Sequence, residues 1–151
     1  MDMIVELAVA TVMVLLTVAM HAAALLGLGA LVSQVERAEP RSLRSPLSKR
    51  EGGILLVVVL GLFVAHGIQI WLYAALFHAL GAIGDLREAV YFSTISYAAI
   101  GYADTAIDPK WKLLGAIEGI NGVLLLGWTV AFFATVMNRF APAPRNSNHR
   151  H

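Results

Sequence analysis

The sequence predicts an all-α integral membrane protein, one short domain built on three spanning helices. Its composition and charge placement carry that reading. Of 151 residues, 58% are hydrophobic and only 14% charged, whereas a soluble domain carries about 25% charged residues. Lys and Arg are missing from residues 1–36 and again from 51–86. Three apolar stretches, 3–32, 53–80 and 113–137, each exceed the roughly 20 residues that cross a bilayer core. Too few charges remain to cover a water-facing surface, which excludes a soluble globular protein and makes the lipid bilayer the first partner. The net charge of +1 offers no basis for a nucleic-acid partner. The absence of cysteine excludes disulfides, thiolate metal sites and cysteine nucleophiles.

The first helix occupies residues 1–32. Its start, Met1-Asp2-Met3, is acidic, and its apolar run is about twice a signal-peptide core, so it reads as a retained span. Residues 33–52 form a basic loop with Arg37, Arg41, Arg44, Lys49 and Arg50, interrupted by Pro40 and Pro46. The tail, 139–151, adds Arg139, Arg145 and Arg150, while the opposite side holds only Arg87, Lys110 and Lys112. This asymmetry puts loop and tail in the cytoplasm and the N-terminus outside, in the cell (inner) membrane. A second helix over 53–80 follows. Asp85 then caps a helix over 85–98, its carboxylate suiting the positive N-terminal end. That helix is far too short to span. Extended residues 99–104, Asp108-Pro109 and a last helix over 111–138 complete the chain. A half-helix followed by extended backbone between two spans is a re-entrant loop, tolerated at membrane depth only where protein or water covers it.

The segment Ala99-Ile100-Gly101-Tyr102-Ala103-Asp104 resembles the filter of the potassium-channel pore-loop superfamily, whose signature reads T-V-G-Y-G-D. Tyr91-Phe92-Ser93 stands where that family has an aromatic-aromatic-Ser stretch, and Trp111 where many members carry an aromatic on the last helix. Gly119, Gly122 and Gly127 surround the family's gating hinge. The resemblance covers residues 53–138 as a pore module: outer helix 53–80, pore helix 85–98, filter 99–104 and inner helix 111–138. It implies a homotetramer, with potassium or another monovalent cation as the permeant ion and no other metal or cofactor. Backbone carbonyls of residues 99–103 would ring the ion and Asp104 its outer mouth. Leu124, Gly127 and Ala131 would line the cavity.

Two positions depart from the family. Ala99 replaces a Thr whose hydroxyl forms the innermost ring. Ala103 replaces a glycine at a positive-φ position, which across a four-fold ring stores on the order of 4–8 kcal/mol. A weakly selective filter is the expectation, with Ala103→Gly plus Ala99→Thr restoring selectivity. The family brace between Asp104 and a pore-helix Glu is missing, because Ile95 stands at that position.

Glu118 is expensive in hydrocarbon unless it faces protein or water. With Asn121 one turn on, it is expected to support the filter from behind, against Ser93, Thr94 or Ser96. The alternative places Glu118 near the outer interface beside Lys112. Trp71, Tyr73, Phe77 and Trp111 read as an outer aromatic belt. His21 and His66 lie at similar depth and open a rival from another class, a small helical membrane protein binding haem between them. A non-conducting or regulatory channel-like protein is the rival within the same fold. No residue constellation for catalysis is evident, and an enzyme is not expected.

Overall fold

A computed structural model describes residues 3–37, 49–101 and 105–140. They form four α-helices in chain order: α1 (Met3–Arg37), α2 (Lys49–Ala79), α3 (Leu86–Tyr97) and α4 (Lys112–Phe140), with a 3-10 turn at Pro109–Trp111. Three of them, α1, α2 and α4, are long and apolar enough to cross a membrane. The protein is an integral membrane protein.

Each boundary has a local cause. The Leu80 and Ala82 amides fold back on Leu76 and Phe77 as Gly81, at φ +64, ends α2. This left-handed closing residue is where glycine carries no Cβ penalty. Asp85, in extended backbone, accepts the Glu88 amide at 3.0 Å and starts α3. Asp108 does the same for the 3-10 turn, accepting the Lys110 amide at 3.0 Å. The Lys110 amide, together with the Lys110 ammonium 3.0 Å away, holds the Asp108 carboxyl below the usual carboxylate range. The Asp108 amide donates to the Ala82 carbonyl, joining the exit of α2 to the entry of α4. α1 continues five residues past the apolar run ending at Val32, because Ser33 bonds back to Gly29 and Glu36 meets Arg139 at 3.6 Å.

α1 and α4 run parallel and pack side by side, while α2 and α4 touch only sparingly. α1 and α3 bridge between α2 and α4. Two apolar clusters result. One gathers Ala10, Met13, Tyr73, Phe77, Phe92, Trp111 and Leu114. The other gathers Leu25, Val32, Val58, Leu62 and Val136 at the opposite end. Tyr73, Phe77 and Trp111 are therefore core residues and not a belt; only Trp71 of that set is exposed. Packing against α1 and α3 is what draws them inward. Between the clusters lies a layer of buried polar side chains.

Candidate functional site

The site begins where α3 ends. Ala98 caps the helix, the Ala99 amide donates to Ser96 and the Ile100 amide to Ile95, both at 2.8 Å. This is the same six-residue closure that ends α2, but its left-handed position holds Ala99, at φ +56. The Cβ there costs about 1–2 kcal/mol relative to glycine. Gly101 follows at φ +72, and Ala99, Ile100 and Gly101 are all exposed. Tyr102, Ala103 and Asp104, expected to complete the ion-coordinating segment, lie outside the described residues.

α3 reaches this position through glycines of α4. A Cβ on Gly115 would stand 2.9 Å from the Phe92 ring, one on Gly119 3.0 Å from the Ser96 carbonyl, and one on Gly122 2.1 Å from the Tyr97 carbonyl. Spaced four and three apart, these residues share one helix face. Gly122 and Gly119 thus serve close approach of α3, whereas Gly127 has nothing within 4 Å. Beside this contact an open cleft of about 530 Å³ is lined by Phe92, Ser96, Ala99, Gly101, Gly119 and Leu124. Leu124, Gly127 and Ala131 face outward on α4.

Behind α3 lies the polar layer. Glu118 is 0% exposed, and its Oε1 pairs with the Ser93 hydroxyl, which also lies 2.9 Å from the Ile70 carbonyl. The interfacial alternative for Glu118 is thereby overturned: α3 covers it completely. Asn121 does not join this pair. Its Nδ2 donates to Thr17 Oγ1 at 2.8 Å and to Tyr73 Oη at 3.3 Å. Thr94 is exposed and donates to its own helix at Val90, 2.7 Å away. Ser96 takes part through its backbone, where Gly119 approaches. Glu118 Oε2 and Asn121 Oδ1 have no hydrogen-bond partner among the described residues.

A second group lies one layer further along the helices. His21 contacts Gln69 and Thr129, His66 contacts Thr129 and Tyr97, and Tyr97 donates to Gln69. Every imidazole nitrogen therefore has a protein partner. The two rings are 5.0 Å apart at a 45° tilt. That arrangement leaves no nitrogen free for iron and no slot for a porphyrin between the rings, so these histidines do not fit haem ligation.

Residues 54–139 match the family model described as "Ion channel", the two-span potassium-channel pore module, over more than half of the chain. The chain belongs to the ion channel family. The channel's matched segment takes in α2, α3 and α4 and leaves α1 outside it. No curated protein and no solved structure matches the chain. Yet α1 supplies the channel with Thr17 and His21, and with Glu6, whose Oε1 accepts the Leu114 amide in the first turn of α4 at 3.0 Å. Sequence reasoning missed Glu6, Thr17, Gln69, Tyr97 and Thr129. The signal for Thr17, Gln69 and Tyr97 was available: the polar pairs Thr17/His21, His66/Gln69 and Ser93/Tyr97, three or four apart, mark a buried stripe on their helices, as Glu118/Asn121 does on α4.

Proposed function

We propose that the protein is a homotetrameric cation channel with potassium as the first permeant ion and weak selectivity. α3 is the re-entrant pore helix, 99–104 the filter, α2 the outer helix and α4 the inner helix. The N-terminus lies outside and the C-terminus in the cytoplasm of the inner membrane. One observation carries the reading: a span-length pair of family helices holds between them a short helix seated on α4 glycines, ending in Ala99-Ile100-Gly101. The C-terminal end of that helix carries partial negative charge, which favours a nearby cation. The open cleft beside Ser96, Gly101 and Leu124 is where the next subunit would pack, and Leu124, Gly127 and Ala131 would then face the cavity. No enzyme activity and no bound cofactor enter this scheme.

Weak selectivity follows from the missing hydroxyl at Ala99 and from Ala103 at a glycine position. Thr at position 99 would sit at positive φ, where a β-branched side chain is more strained than alanine. Ala103→Gly alone is thus the cleaner restoration. The test is potassium against sodium flux in proteoliposomes. Cation flux with a low potassium preference, raised by Ala103→Gly, supports the reading. Sealed, correctly inserted tetramers passing neither ion would refute it and favour a non-conducting, regulatory role.

A further inference from the structure

The second polar group is a closed ring. Gln69 sits 3.2 Å from His21 Nδ1, His21 Nε2 sits 3.1 Å from Thr129 Oγ1, and Thr129 Oγ1 sits 2.9 Å from His66 Nε2. His66 Nδ1 is 2.9 Å from Tyr97 Oη, which returns to Gln69 Oε1. The ring takes members from all four helices, and its α3 member, Tyr97, is that helix's last residue.

Its hydrogens can be counted. Gln69 Nε2 also lies 3.4 Å from the Thr17 carbonyl, which only accepts, so the amide NH2 points to α1. His21 Nδ1 must then accept, and its Nε2–H donates to Thr129. The Thr129 hydroxyl donates to His66 Nε2, His66 Nδ1–H donates to Tyr97, and Tyr97 donates to Gln69. Each hydrogen is used once, all links run in one direction, and both imidazoles are neutral. Such chains strengthen one another in low dielectric.

A proton has no place in this circuit. On His21 Nδ1 it would meet the Gln69 NH2, and turning that amide would set its oxygen against the Thr17 carbonyl. On His66 Nε2 it would leave the Thr129 hydroxyl without an acceptor in the ring. Among the described residues, Tyr73 from α2 and Glu118 from α4 couple to the ring through Tyr97, besides the ring's own His21 from α1, His66 from α2 and Tyr97 from α3. Glu118 is engaged by Ser93, not by either imidazole. Two charges 5.0 Å apart would also repel. His21 is fully buried, whereas His66 is half-buried and is the side chain with room to turn out of the ring.

We infer that His66 is a proton-binding site and that the ring is a latch on the C-terminal end of α3, closed only while both imidazoles are neutral. Protonated His66 leaves the ring, breaking its links to Thr129 and Tyr97 and loosening residues 94–101. The consequence for ion flux rests on the channel reading; the latch itself does not.

The test uses the full chain in lipid nanodiscs between about pH 8 and pH 5, the range in which imidazoles titrate. Amide hydrogen exchange over 94–101, corrected for its intrinsic pH dependence, should accelerate roughly 5- to 30-fold at the acid end, as expected for two lost hydrogen bonds. His66→Gln should abolish that pH dependence, and Tyr97→Phe should exchange fast already at pH 8. Imidazole nitrogen NMR supplies a readout that needs no variant: His66 should gain a second N–H as exchange accelerates. Exchange that is flat with pH, an unchanged response in His66→Gln, or a His66 still neutral at pH 5 would overturn the latch. Potassium flux is recorded alongside. Flux absent at every pH counts against the channel reading, while exchange and NMR still decide the latch.

Discussion

Gly122→Ala offers a direct test of how α3 is held. The added Cβ would lie 2.1 Å from the Tyr97 carbonyl oxygen, 2.9 Å from its carbon and 3.0 Å from its Cα. All three are backbone atoms, so no rotamer change relieves the clash. Reaching ordinary contact at about 3.4 Å requires α3 and α4 to part by about 1.3 Å, the difference between 3.4 and 2.1 Å. A shift of that size at Tyr97 stretches its 2.9 Å bond to His66 beyond hydrogen-bonding range. Overpacking costs roughly 1–3 kcal/mol, and a lost hydrogen bond about 1 kcal/mol more. Against this, alanine gains about 1 kcal/mol over glycine in a helix interior. The balance is a destabilisation of about 1–3 kcal/mol.

The neighbouring glycines provide the controls. Gly119→Ala meets the Ser96 carbonyl at 3.0 Å, a tight contact that a small adjustment relieves, so it should lie near the wild type. Gly127→Ala meets nothing within 4 Å and should gain up to about 1 kcal/mol from propensity. Unfolding of the purified protein in detergent, followed by circular dichroism, should rank Gly127→Ala above wild type and Gly122→Ala well below it. A Gly122→Ala protein as stable as wild type would show that α3 does not rest on α4 at this point.

Four further outcomes can be read in the same unfolding assay. Ala99→Gly should stabilise by about 1 kcal/mol, because glycine fits the left-handed position, and Ala99→Thr should destabilise. Glu6→Ala should lower stability by about 0.5–2 kcal/mol through loss of the cap on Leu114, and Glu6→Gln by less, since an acceptor remains. Glu118→Gln should keep most of the stability, because its amide can donate to Ser93 and leave the Ser93 hydrogen for Ile70. Glu118→Ala should lose about 2–5 kcal/mol by emptying a buried site. Asp108 has a depressed folded-state pKa, so its contribution is full above its unfolded value near 4 and is lost as pH falls through the folded value. Acidification below about pH 4 should therefore cost the wild type a small increment that Asp108→Asn does not show.

Much of the architecture was legible because its signals are local. Unbroken apolar length reveals the spans. Asp85 and Asp108-Pro109 bracket a helix too short to be one. The Ser93–Glu118 pair was also within reach, since a buried carboxylate in a span demands a polar neighbour. The rotation of each long helix was hidden. α1, α2 and α4 are apolar on nearly every face, so hydrophobic periodicity carries no contrast. The glycines of α4 read as hinge residues because their spacing was weighed by family position. On physical grounds, Gly115, Gly119 and Gly122 form one small-residue face that invites close packing. Ala99 was read as a missing ligand, yet its backbone conformation is set by the closure of α3. No propensity scale assigns that role to alanine.

The polar layer explains how a helix outside the family module becomes part of it. Lipid tails are as apolar as the spans, so burial of leucine and valine does little to fix which face of α1 turns toward α4. Buried polar atoms discriminate strongly, because each one left without a partner costs about 1–3 kcal/mol. Glu6 on the Leu114 amide, Thr17 on Asn121 and His21 on Thr129 fall at successive levels along the parallel pair α1 and α4. A rotation of α1 by one residue would break all three together. Removing α1 would leave the Leu114 amide without its acceptor, take Thr17 from the Asn121 carboxamide and open the hydrogen-bonded ring at His21. The pore module of this channel is therefore not the separable two-span unit that its matched segment suggests, and its stability and the proposed latch both run through the added helix.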